Sequence, residues 1–60
     1  MITIKKGDYV RVRRTNMFGF VTVKKPRDGV MMYWVRLDGT VTPIEYYVTQ
    51  IEFISEVDDE

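Results

Sequence analysis

The feature that most restricts this chain is its punctuation. Short runs rich in β-branched and aromatic residues are cut about every eight to twelve residues by turn-forming groups. The breaks are Gly7-Asp8, Thr15-Asn16, Pro26-Arg27-Asp28-Gly29 and Asp38-Gly39. No window sustains a period of 3.6 residues, so amphipathic helices are excluded as the main elements. What remains is an all-β fold of short strands.

The first main strand reads Tyr9 to Arg14, with Val10 and Val12 on one face and Tyr9, Arg11 and Arg13 on the other. The second runs from Phe18 to Lys25, with Val21 and Val23 facing inward and Phe18, Phe20, Thr22 and Lys24 outward. Pro26-Arg27-Asp28-Gly29 is a turn, since Pro presets φ and Gly accepts positive φ. In the third strand, Val30 to Leu37, the alternation places Met31, Tyr33, Val35 and Leu37 inward and Met32, Trp34 and Arg36 outward. Asp38-Gly39 suits a two-residue hairpin. The fourth strand spans Thr40 to Tyr46, and Pro43 confines it to a strand start, edge or bulge. Val48-Thr49-Gln50 fits one tight helical turn before a fifth strand, Ile51 to Ser55. The expected core is Val10, Val12, Val21, Val23, Met31, Tyr33, Val35, Leu37, Ile44, Tyr46, Val48 and Ile51.

Sixty residues are enough for one domain, which buries only about 60% of the surface its unfolded chain exposes. Residues 1–55 read as a small barrel, and residues 56–60 as an acidic flexible tail. The sequence has no Cys and no His, which removes disulfides, thiolate chemistry and ordinary zinc sites. The absence of Cys fits a cytoplasmic chain. No apolar run approaches the roughly 20 residues of a membrane-spanning helix, and no secretory signal pattern opens the sequence.

The net charge is zero, but the charges are segregated. All nine basic residues lie between Lys5 and Arg36, opposed there only by Asp8 and Asp28, so residues 1–36 carry +7. The other seven acids, with no base among them, leave residues 37–60 at −7. Such a split points either to an anionic partner or to neutralisation across strands once the chain folds.

Three segments carry a family resemblance. Lys6-Gly7-Asp8-Tyr9-Val10-Arg11-Val12 resembles the Gly-Asp-x-Val-Arg-Val opening of a KOW domain, the SH3-like barrel that ends the transcription factor NusG. Phe18-Gly19-Phe20-Val21 resembles the family's second block, an aromatic followed by Gly-x-Val. Most specific is the ungapped run from Gly39 to Glu52. Its Thr42-Pro43-Ile44-Glu45 and Gln50-Ile51-Glu52 are similar to the family's Thr-Pro-Val-Glu and Gln-Val-Glu. The resemblance covers about residues 4 to 54 and implies a five-stranded SH3-like, KOW-type barrel. It also implies an accessory of transcription or translation that contacts RNA polymerase, a ribosomal protein or nucleic acid. The size fits a lone module of phage or mobile-element origin. Two loops depart from the family pattern: Thr15-Asn16-Met17 replaces a longer loop with a Gly-Pro-Phe element, and Asp38-Gly39-Thr40 replaces aromatic-Gly-Arg. In the family these loops help bind a small-subunit ribosomal protein and the termination factor Rho.

Catalysis has little to work with, since no nucleophile–base pair can be read from the spacing. The chain reads as non-enzymatic, with no cofactor and no metal. A binding role has more support. Tyr9, Arg11, Arg13, Phe18, Phe20, Trp34 and Arg36, with Met32 and Tyr47, are expected on the outward face. Aromatics interleaved with Arg suit base stacking with phosphate contact. They equally suit a protein hot spot. A third possibility is a second packed cluster under Ile2, Ile4, Phe53 and Ile54. Lys24, Lys25 and Arg27 crowd one hairpin tip, where they form a phosphate-contacting patch or a solvated turn. The alternative to a NusG-like accessory is an SH3-like structural or interaction subunit of a viral or larger assembly, without a nucleic-acid role.

Overall fold

A computed structural model describes residues 3–56, so Ile2 and tail residues 57–60 lie outside the described residues. The chain is all-β. Its five strands are β1 (Tyr9–Val12), β2 (Phe18–Arg27), β3 (Val30–Leu37), β4 (Ile44–Tyr47) and β5 (Ile51–Ser55), with a 3-10 turn over Val48–Gln50. They form one antiparallel sheet in the order β4-β3-β2-β1-β5. This is a small five-stranded barrel-like arrangement whose sheet is not closed, since β4 and β5 stand at its two ends. The 3-10 turn connects those two edge strands, and Arg13 N–H donates to the Gln50 carbonyl at 3.0 Å.

The core is Ile4, Val10, Val12, Val21, Tyr33, Val35, Leu37 and Ile51, with Tyr46 and Phe53 packed against it. Four residues expected in the core are exposed instead: Val23, Met31, Ile44 and Val48. Two that were not expected there, Ile4 and Met32, are buried.

A β-bulge explains Val23. Val21 pairs with Val35, but Val23 pairs with Trp34, so Thr22 is an extra residue in β2. The bulge reverses the alternation beyond it. Val23 and Lys25 move to the outer face, and Lys24 moves to the side of Tyr33, which it opposes. The Thr22 hydroxyl donates to the Trp34 carbonyl at 3.2 Å and fixes the irregularity.

Met31 is exposed because the β2–β3 hairpin overhangs the sheet. Pairing on the other side of β2 reaches only Val21, which exchanges hydrogen bonds with Gly7 and Asp8. Beyond that point β2 has β3 as its one neighbour, so Pro26 sits within the strand, opposite Met31, without breaking a second ladder. Met32 lies between its cross-strand neighbours Lys25 and Tyr47. Ile44 and Val48 are exposed because they belong to the sheet edge and the 3-10 turn.

The turns also differ from expectation. The two-residue hairpin is Asp28-Gly29, with φ of 53° and 80°, between the paired residues Arg27 and Val30. Positive φ at both central residues is the geometry that matches strand twist. Gly39 does adopt positive φ (85°), and Thr40 N–H donates to the Leu37 carbonyl at 3.0 Å. The chain then runs on in a loop before β4 begins at Ile44, not Thr40. Pro43 therefore precedes the strand. Asp8, 3% exposed, accepts the Lys5 N–H on Oδ2 at 2.8 Å and so holds the turn that seats Ile4 in the core.

Candidate binding surface

The outer face of β1, β2 and β3 is organised in rows set by the ladder. One row is Tyr9, Phe20 and Arg36; the next begins with Arg11 opposite Phe18. The rings meet across the strands: Tyr9 stacks on Phe18 with centroids 5.7 Å apart and 13° between planes, and lies 4.8 Å from Phe20 in a tilted arrangement. Tyr9 Oη donates to Asp38 Oδ2 at 2.9 Å, which raises the phenol pKa by hydrogen bonding first and by partial burial and repulsion second. Phe18 is exposed, Tyr9 and Phe20 are half-buried, and Arg36 is exposed.

Past the bulge the same face carries Val23, Trp34 and Glu45 in one row and Lys25, Met32 and Tyr47 in the next. The Lys25 ammonium lies over the Trp34 ring, 5.4 Å from its centroid. Arg27 Nη1 donates to Glu45 Oε1 at 2.6 Å, a bond that raises the guanidinium pKa further.

Of the expected site residues, Tyr9, Arg11, Phe18, Phe20, Lys25, Arg27, Trp34 and Arg36 do share this face. Two do not. Lys24 lies on the opposite side of the hairpin with its ammonium 5.6 Å from the Tyr33 centroid. Arg13 falls beyond the end of β1 and lines a separate groove. Of the residues named for a second packed cluster, Ile2 lies outside the described residues, Ile4 belongs to the main core, Phe53 packs against it and Ile54 is exposed.

Folding brings the two charge-segregated halves together. All three salt bridges among the described residues join a base from the first half to an acid from the second: Lys5–Glu56, Arg11–Glu52 and Arg27–Glu45. Arg11 is the most engaged. Its Nε donates to Glu52 Oε1 at 3.1 Å, its Nη2 contacts the same oxygen, and its Nη1 donates to Asn16 Oδ1 at 2.7 Å. The Glu52 carboxyl is held below its ordinary pKa, first by that hydrogen bonding and then by the Arg11 charge. Arg11 and Arg27 thus act first as framework. Lys6, Arg13, Arg14, Lys24, Lys25 and Arg36 make no salt bridge among the described residues.

Besides Arg13, an open groove of about 590 Å³ is lined by Arg14, Thr15, Thr49 and Gln50, which the sequence did not single out as site residues, and by Val12 and Tyr46, which it assigned to the core. The Arg13-Arg14 doublet beside Thr15-Asn16 was the available signal. Among the described residues, no helix is long and apolar enough to cross a membrane. No protein-family model, curated protein or solved structure matches this chain.

Proposed function

We propose that this chain is a non-catalytic binding module of the NusG-like KOW kind, an accessory of transcription or translation that contacts single-stranded nucleic acid. The observation that supports it is the Tyr9–Phe18–Phe20 ring cluster on an exposed sheet face beside Arg36. Rings on a strand surface stack bases regardless of sequence, while a neighbouring guanidinium contacts phosphate. Trp34 and Lys25 repeat the combination on the far side of the bulge. The family likeness in Gly7-Asp8, Phe18-Gly19-Phe20-Val21 and Thr42-Pro43-Ile44-Glu45 supports the class of process.

A second reading is favoured by the acids on the same face. Glu45, Glu52 and Asp38 border the rings, and they oppose a polyanion but suit a protein surface such as RNA polymerase or a ribosomal protein. Trp, Tyr and Arg are the usual anchors of such contacts.

Fluorescence polarisation with a short labelled oligouridine across a salt series separates the two. The nucleic-acid reading expects saturable binding that weakens linearly on a log–log salt plot and is lost in Phe18→Ala. No binding at low salt, with retention on immobilised RNA polymerase, would transfer the function to the protein reading.

A further inference from the structure

The groove beside the 3-10 turn differs from the outer face in its chemistry. Its polar lining residues are Arg13, Arg14, Thr15, Tyr46, Thr49 and Gln50, and no Asp or Glu among the described residues lines it. Gln50 Oε1 already accepts the Tyr47 N–H at 2.8 Å, which leaves the amide NH₂ to donate. Thr15 Oγ1 accepts the Met17 N–H at 3.4 Å, which leaves its hydroxyl hydrogen to donate. A site made of donors with two guanidinium groups selects an anion, and Arg matches phosphate with paired N–H bonds.

The remaining lining sets the size and kind of anion. The half-buried Tyr46 gives the groove an apolar wall, and about 590 Å³ is far more than one phosphate needs. It lies within the range of roughly 300–1,000 Å³ typical of small-ligand sites. An extended acidic peptide adding as a strand would need unpaired backbone groups, and on the β1 side of the groove two donors are taken: Val12 N–H donates to the Met17 carbonyl at 2.8 Å, and Arg13 N–H to the Gln50 carbonyl at 3.0 Å.

We propose that this groove binds a single nucleotide, holding its phosphate between Arg13 and Arg14 and its base against Tyr46. The site is separate from the outer face and does not depend on that face binding anything.

The test is an amide-resolved NMR titration of the full chain with uridine monophosphate, uridine, inorganic phosphate and a short polyglutamate peptide. Uridine monophosphate moves the Arg14, Thr49 and Gln50 amides saturably, and uridine and phosphate each bind at least about tenfold more weakly. Arg14→Ala weakens the nucleotide by about tenfold or more, since it removes a charge-assisted contact, and Arg14→Lys recovers part of the loss. Arg14 makes no hydrogen bond or salt bridge among the described residues, so the variant's dispersed spectrum verifies its fold. Trp34→Ala leaves the titration unchanged, which separates this site from the outer face. The proposal is overturned if polyglutamate moves the same amides as tightly as the nucleotide, if no shift saturates, or if Arg14→Ala binds like the parent.

Discussion

Gly19 lies so close to Leu37 across the β2–β3 ladder that a Cβ placed on it would fall 2.8 Å from the Leu37 Cα, and nearer still to the Arg36 carbonyl oxygen. Both clashing groups are backbone, so no rotamer change relieves them. Gly19 also pairs with Val10 on β1, which fixes it from the other side. Gly19→Ala should therefore destabilise the fold by about 1–3 kcal/mol or more, as overpacking does. In a domain this small that is roughly 4–8 °C of melting temperature per kcal/mol. Thermal unfolding followed by circular dichroism reads it directly, and an unchanged midpoint would mean that β2 and β3 are further apart than described.

The bulge gives a paired prediction. Val35 is fully buried and Val23 is 41% exposed, although simple alternation assigns both to the core. Val35→Ala should cost about 1–3 kcal/mol through lost transfer energy and the cavity left behind. Val23→Ala should stay within about 0.5 kcal/mol of the parent, as surface substitutions do. Comparable losses in urea unfolding would place Val23 inside and remove the bulge at Thr22.

Much of the fold was legible because each strand is bounded by residues with a clear local reason. Gly7-Asp8, Thr15-Asn16, Asp28-Gly29 and Asp38-Gly39 all mark breaks between elements. The Val48–Gln50 turn and the fifth strand fall where propensity places them. What alternation could not reveal was one inserted residue. No feature of Thr22 distinguishes it from an ordinary outward Thr, yet it reverses every side chain from Val23 to the hairpin tip. The same slip exchanged the faces of Lys24 and of Lys25 and Arg27, because β2 runs on through them to Arg27. Burial of Met32 and exposure of Met31 depend on where the β2–β3 arm leaves the sheet, a tertiary property. The outer aromatic face was legible because Tyr9, Phe18 and Phe20 precede the bulge. Its cross-strand partners Asp38, Glu45 and Glu52 were not, since ion-pair choice follows register.

The Arg11–Glu52 pair makes an acid-side prediction. Folding depresses the Glu52 pKa below its ordinary value of about 4.5. A carboxylate of this kind contributes stability that is fully present above the unfolded pKa and is lost as pH falls through the lower, folded pKa. The parent should lose that contribution below about pH 4.5. Glu52→Gln should be less stable than the parent at neutral pH, and the difference should shrink as the solution is acidified through that window. Urea midpoints at a series of pH values provide the check; a gap that is constant with pH would show that the pair contributes nothing through charge.

On the outer face, ring and cation should leave different signatures in one measurement. Arg36 is exposed, without a salt bridge among the described residues, and lies in the same row as Phe20 and Tyr9. If it meets a phosphate, Arg36→Ala should lower oligouridine affinity and reduce the log–log salt slope by about one. Trp34 acts through its ring, so Trp34→Ala should cost about 1–3 kcal/mol of binding with the slope unchanged. Arg11→Ala is the instructive control. Its guanidinium already serves Glu52 and Asn16, so its removal should lower melting temperature more than it alters the slope. A slope that falls with Arg11→Ala but not with Arg36→Ala would put the phosphate path along β1 instead of across the sheet.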